Sequence, residues 1–154
     1  MAFSEIDFPE MRAELIENIQ ALADPTFQQR AWVDHQFPIG NIMYHDFDSV
    51  IHCLYDDSNI EVNPELGIGV ILKNKEEADT VKRLMQAIDA AFNRYGLRLK
   101  DSEYMRKPEW ETIVCKAKDA CVQFGIDPVV STDPDVQREQ WNKLVQEAQR
   151  KQHE

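Results

Sequence analysis

An apolar stripe at helical spacing between positions 75 and 95 constrains the fold of this chain more than any other feature. Polar and charged residues fill the positions between the apolar ones, and Gly96 follows as a helix stop. The pattern predicts a long amphipathic helix, whose apolar face needs a core supplied by the rest of the chain. The stripe consists of Ala78, Val81, Leu84, Met85, Ile88, Ala91, Phe92 and Tyr95.

Four further helices are predicted from weaker apolar stripes, together with residues that typically begin or end a helix. The first begins near Pro9 and ends at Ala23, and the second runs over residues 25–33 with Asp24 as its cap. Another helix begins at Pro108 and ends before Gly125. The last helix is predicted at about residues 133–150, with a thin apolar stripe and a frayed C-terminus.

Two apolar segments between these helices predict strands. Residues 47–55 are apolar on both faces of an extended chain, as in a central strand, and residues 66–72 place Gly67 and Gly69 on one face. Short extra strands are predicted at Ile60 with Val62 and at Leu97 with Leu99. The expected fold is therefore α+β, with a small, mostly antiparallel sheet packed by about five helices in a single domain of residues 1–154.

The net charge of -11 is unevenly distributed along the chain. Residues 1–70 carry 13 acids and two bases, whereas residues 71–154 carry 15 of each. Such an acidic half repels phosphate backbones and attracts basic proteins, so nucleic-acid binding is not expected. No apolar run approaches the ~20 residues of a membrane span, and the first residues lack a secretory signal pattern, so we expect a cytoplasmic protein.

The densest polar group is the segment 44–48, Tyr-His-Asp-Phe-Asp, followed by His52 and by Asp56 with Asp57. On a strand, Asp48 and His52 would lie about 13 Å apart, which argues against a compact metal site. Adjacent aspartates at a strand end diverge, unlike the facing carboxylates of a glycosidase. The three cysteines, at positions 53, 115 and 121, have no disulfide or zinc spacing. We therefore predict no catalytic residue, metal or cofactor.

Four segments resemble a family of short, acidic, uncharacterised bacterial proteins. They are residues 22–25 (LADP), 47–57 (FDSVIHCLYDD), 66–69 (LGIG) and 108–110 (PEW). Such proteins resemble the immunity proteins of bacterial toxin systems, including contact-dependent growth inhibition. The resemblance implies an α+β domain that binds and blocks a cognate toxin domain, often a basic nuclease.

Nine acids are the candidate partner-binding residues. Six are expected around one strand–turn–strand unit and three on the first helix. Two other hypotheses stay open at this point: a regulatory or housekeeping module that binds another protein or forms a homodimer, and a small hydrolase or metal-dependent enzyme. The nine candidates are Asp46, Asp48, Asp56, Asp57, Glu61 and Glu65, with Glu10, Glu14 and Glu17 on the helix.

Overall fold

The computed structural model describes residues 6–57 and 63–149, with the side chain of residue 57 left out, and these residues form an array of helices. A π-helical turn, Gln29–Val33, extends α2, and another, His52–Asp57, extends α3. A 3-10 turn, Pro64–Gly67, precedes α4. The helices are α1 Pro9–Leu22, α2 Pro25–Gln28, α3 Phe47–Ile51, α4 Lys75–Tyr95, α5 Asp101–Met105, α6 Pro108–Phe124 and α7 Pro134–Gln149.

The predicted α+β fold is wrong, because the described ranges contain helices and only two isolated β-bridges, with no strand. Residues 47–55, predicted as a central strand, form α3 and most of its π-helical turn. The buried residues of this segment follow one another at intervals of three, three and one residues, so they line one face of a helix. They are Phe47, Val50, Cys53 and Leu54. In so short a segment, the apolar residues fit the period of a helix and the period of a strand almost equally well.

The second predicted strand, residues 66–72, is a 3-10 turn followed by a tight loop. The carbonyl oxygen of Gly67 accepts hydrogen bonds from the amides of Val70, Ile71 and Leu72, which coils this segment instead of extending it. Leu66 is 66% exposed, so the predicted apolar strand face does not form. Residues 97–100 form no strand either, and the strand predicted at Ile60 and Val62 lies outside the described residues.

The long helices agree with their sequence signals. The side chain of Asn74 accepts a hydrogen bond from the amide of Glu77 at the start of α4, and Gly96 ends that helix with a φ of 81°. Gly125 ends α6 in the left-handed conformation, which glycine adopts without strain. The short helix α5 was not predicted. No described helix is long and apolar enough to cross a membrane.

One hydrophobic core connects the helices. α4 packs against α6, and α1 packs against α6 and α7. An aromatic cluster lies beside α3, where the ring of Phe47 is 5.0 Å from that of Trp110 and 5.5 Å from that of Tyr104. This anchoring of Phe47 leaves the opposite face of α3 in solvent. That face continues into the π-helical turn and carries Asp48, His52 and Asp56.

Candidate functional site

One exposed line of side chains along α3 and its π-helical turn is acidic. His52 lies between two aspartates, with its Nε2 atom 3.3 Å from the Oδ2 atom of Asp48 and its Nδ1 atom 2.7 Å from the Oδ2 atom of Asp56. The helix therefore brings together side chains that the strand prediction separated by about 13 Å. Even so, no group of three or more His, Cys, Asp or Glu side chains in the described ranges has the arrangement of a metal site.

Asp46 has a fixed position at the start of α3. Its Oδ1 atom accepts hydrogen bonds of 2.8 Å from the amide and the hydroxyl of Ser49, and its Oδ2 atom accepts one of 2.7 Å from the hydroxyl of Tyr44. Burial opposes ionisation, but these hydrogen bonds outweigh it and lower the pKa of Asp46. The aspartate is therefore a charged helix cap held in one orientation.

Apolar surface lies beside these acids. Met43 is 72% exposed and Tyr44 is 63% exposed, and both directly precede the capped end of α3. We call the group formed by Met43, Tyr44, Asp46, Asp48, His52 and Asp56 the α3 acidic surface.

The remaining predicted acids do not form one cluster with the α3 acidic surface. Glu10 is exposed in the first turn of α1, and Glu65 is exposed on the 3-10 turn, 3.5 Å from the amine of Lys75. Glu61 lies outside the described residues, and of Asp57 only the backbone is described, at the end of the π-helical turn. The strand–turn–strand unit that was expected to unite these acids is not formed.

Glu14 and Glu17 instead line a cleft of about 270 Å³ between α1 and α7. Residues of the loops around positions 42–45 and 130–131 complete its walls. Its apolar side chains include Phe27, Ile42 and Trp141. A concave site with apolar walls and a few polar groups is the usual form of a ligand pocket, and this one is at the small end of the range.

The polar wall of the cleft is a network of amides. Gln140 donates hydrogen bonds to the Oε2 atom of Glu17, at 3.0 Å, and to the side-chain oxygen of Gln20, at 3.1 Å. Gln20 in turn donates to the backbone oxygens of Asp127 and Val129. Burial raises the pKa of Glu17, while the hydrogen bond from Gln140 acts in the opposite direction. Glu17, predicted as a partner-binding acid of the first helix, is thus a partly buried wall residue of the cleft.

His45 is an uncharged wall residue with both ring nitrogens engaged. The indole of Trp32 donates a hydrogen bond of 3.0 Å to the Nδ1 atom, so the proton of the neutral ring lies on Nε2, which is 2.9 Å from the Oδ1 atom of Asn18. Burial lowers the pKa of His45 to about 4. This histidine fixes α1 relative to the loop before α3, and it has no free nitrogen for a metal.

The pKa of His45 predicts a loss of stability in acid. The unfolded chain binds a proton at this residue near pH 6.5, whereas the folded protein does so only near pH 4. The contribution is fully present above pH 6.5 and is lost as the pH falls towards 4, up to about 2–3 kcal/mol. In urea unfolding at pH 7.5, 6, 5 and 4.5, His45→Gln should remove this component of the pH dependence.

The contribution of His45 is separated from those of other groups by comparing how the free energy of unfolding depends on pH in the variant and in the wild type. The raised pKa of Glu17 gives the opposite slope above its ordinary value of 4.5, so the difference between variant and wild type is the quantity to measure. His35→Asn is the matched control, because His35 is exposed and asparagine tolerates its φ of 51°. Equal slopes for His45→Gln and wild type would contradict the assignment.

Sequence analysis missed the α7 side of the cleft, which includes Gln137, Gln140 and Trp141. A partial signal was present on α1, where Gln20 lies among the apolar residues of the inner face although it is polar. A buried amide of this kind indicates a polar contact with another segment. It does not indicate which segment, because Gln20 and Gln140 are 120 residues apart.

Over the residues that the structure describes, the fold and this geometry define a helical protein with an acidic helix surface and an acid-lined cleft. The chain belongs to the family DUF7945, a domain of unknown function, whose family model matches residues 6–132. Comparisons with curated proteins and with solved structures found no significant match. The matched region ends before α7, so it supplies the walls of the cleft from α1, α2 and the loops but not those from α7.

Proposed function

We propose that this protein is a toxin-neutralising immunity protein of the bacterial cytosol, which binds a basic toxin domain through the α3 acidic surface. The observation that carries the proposal is the row of carboxylates formed by the exposed Asp48 and Asp56 and the partly buried Asp46, beside Met43 and Tyr44. The sequence resemblance described above provides the class of partner. A nuclease domain is the expected case, because its own site for phosphate is basic.

The charge of the α3 acidic surface is not compensated within the described residues. No lysine or arginine of that part of the chain forms an ion pair with Asp46, Asp48 or Asp56. His52 is the only ion-pair partner of Asp48 and Asp56 there, and it is charged only when protonated. Such a field accelerates the encounter with a basic partner and disfavours acidic ones.

The exposed apolar residues give this surface the composition of an interface. Tyrosine and methionine are enriched in the cores of protein interfaces, where they are surrounded by polar residues. Tyr44 is also held in place by its hydrogen bond to Asp46. A side chain ordered before binding loses less conformational entropy when the partner docks.

The decisive experiment reverses two charges of the surface. The protein is titrated by calorimetry with basic toxin nuclease domains, including any that are encoded beside its gene, each purified as a catalytically inactive variant. One basic domain should bind, with an affinity that falls as salt rises. The double variant D48K/D56K should weaken that complex by about thirtyfold or more, the equivalent of about 2 kcal/mol.

A matched control is available on α6. Glu111 and Asp119 are exposed and eight residues apart, the same spacing as Asp48 and Asp56, so E111K/D119K changes the net charge equally. This control should weaken the complex by no more than about threefold, through long-range attraction alone. Equal losses for both double variants, or no binding by any basic domain, would contradict the proposal.

A further inference from the structure

We propose that the cleft between α1 and α7 binds an organic cation, a guanidinium or primary ammonium group carried on an apolar stem. This site is separate from the α3 acidic surface and does not depend on the function proposed for it. The ligand chemistry follows from the charges, the hydrogen bonds and the shape of the cleft walls.

The charge of the cleft selects a cation. Its titratable wall residues are Glu14 and Glu17 from α1 and His45 from the facing loop, and none of the described residues that line it is a lysine or arginine. His45 is neutral, so the fixed charge of the wall is negative. Neither glutamate forms an ion pair within the described ranges.

The glutamine side chains of the cleft wall are already engaged within the protein. Gln137 donates to the backbone oxygens of Ile39 and Ser131 and accepts from the amide of Asn41, so its side chain is fully engaged. The amide groups of Gln20 and Gln140 donate to protein acceptors in the same way. An anion or a polyol needs donors from the wall, and the glutamine amide donors there are occupied.

The Glu17 carboxylate keeps the acceptor capacity that a cation uses. Gln140 donates to its Oε2 atom, whereas no group in the described ranges donates to its Oε1 atom. Burial raises the pKa of Glu17, which shows that the site destabilises the lone negative charge. A bound guanidinium or ammonium group supplies the compensating charge and N–H donors that a carboxylate accepts.

The apolar walls and the volume define the stem. Phe27 and Trp141 are the aromatic residues of the cleft, and Ile42, Val130 and Val136 are its larger aliphatic residues. About 270 Å³ accommodates a group of the size of one arginine or lysine side chain, not a large cofactor. Aromatic rings also attract cations through their negative faces.

The first experiment compares two ligands of the same shape. Butylguanidinium and its neutral isostere butylurea are titrated into ¹⁵N-labelled protein, and the indole N–H signals of the three tryptophans are followed. Butylguanidinium should bind about tenfold more tightly or better, because a charge-assisted hydrogen bond is stronger than a neutral one. The Trp141 signal should shift most, while the indole of Trp110 is held by Gln28, and because neither of these two residues lines the cleft, it serves as the internal reference.

Two variants test the role of the carboxylate. Glu17→Gln keeps the shape and an oxygen for Gln140, and it should weaken butylguanidinium binding by about tenfold without affecting butylurea. Glu10→Gln changes the net charge equally on the exposed part of α1, outside the cleft, and should change affinity less than about twofold. Equal binding of the two ligands, or no effect of Glu17→Gln, would overturn the proposal.

A peptide pair distinguishes the two sources of such a cation. An acetylated and amidated Gly-Arg-Gly peptide is compared with the same peptide containing citrulline, whose urea group is a neutral isostere of the arginine guanidinium. Arginine peptide binding at least as tight as that of butylguanidinium assigns the cleft to a side chain of a protein partner. Binding of butylguanidinium alone assigns it to a free small molecule, and binding of neither cation overturns the proposal.

Discussion

Replacing Arg12 by methionine should lower the free energy of unfolding by about 3–5 kcal/mol, the usual cost of removing one partner from a buried ion pair. Arg12 and Glu77 are each 3% exposed and are joined by two hydrogen bonds of 2.7 and 2.8 Å. Arg12 also donates to the backbone oxygen of Ile71, and Glu77 accepts from the amide of Lys73. Without the guanidinium, the carboxylate is a buried charge with no counterion.

A double-mutant cycle measures this pairing by urea unfolding. Arg12→Met with Glu77→Leu removes both charges, so the double variant should be more stable than Arg12→Met alone. The matched control is Arg94→Met, because Arg94 is exposed and its pair with the partly buried Glu109, at 3.6 Å, is worth less than about 1 kcal/mol. A loss below about 1 kcal/mol for Arg12→Met would show that the pair does not hold the fold together.

The position of Arg12 shows what the sequence reveals and what it does not. Arg12 precedes Leu15, Ile16 and Ile19 at helical spacing, so the inner face of α1 includes a charge. A buried arginine needs a partner, and that requirement follows from sequence alone. The partner is 65 residues away at the start of α4, and no local pattern predicts that contact.

Long helices were predictable because several independent signals agree. In α4, a long amphipathic stripe, an asparagine cap and a terminal glycine all indicate the same bounds. In α3, they conflict. The β-branched and aromatic residues of segment 47–55 favour a strand, whereas Asp46 and Ser49 have the spacing of a helix cap. Packing of Phe47 and Val50 into the core decides in favour of the helix.

The candidate site was predictable only in part, because local sequence signals identify its charged residues but not the elements that carry them. Asp46, Asp48 and Asp56 were selected for their charge, but they were placed around a strand–turn–strand unit. Glu14 and Glu17 were selected as partner-binding acids of the first helix. The cleft exists because α7 packs on α1, and the thin apolar stripe of α7 does not specify its neighbour.

The second large effect is expected at Gln28, a fully buried amide on α2. Its nitrogen donates to the backbone oxygens of Ala21 and Leu22 at 2.9 and 3.0 Å, and its oxygen accepts from the indole of Trp110 at 2.9 Å. The side chain therefore joins the end of α1 and the start of α6. Gln28→Met keeps the volume but leaves the buried indole N–H without an acceptor.

Gln28→Met should lower the free energy of unfolding by about 2–4 kcal/mol, because each buried polar group left unpaired costs about 1–3 kcal/mol. The neighbouring Gln29→Met is the control, since Gln29 is exposed, and it should cost less than about 0.5 kcal/mol. Trp110→Phe removes the donor, so adding it to Gln28→Met should cost less than Trp110→Phe costs in the wild type. Urea unfolding followed by circular dichroism measures all four variants. Additive losses would mean that the amide and the indole stabilise the core independently and that their hydrogen bond contributes nothing.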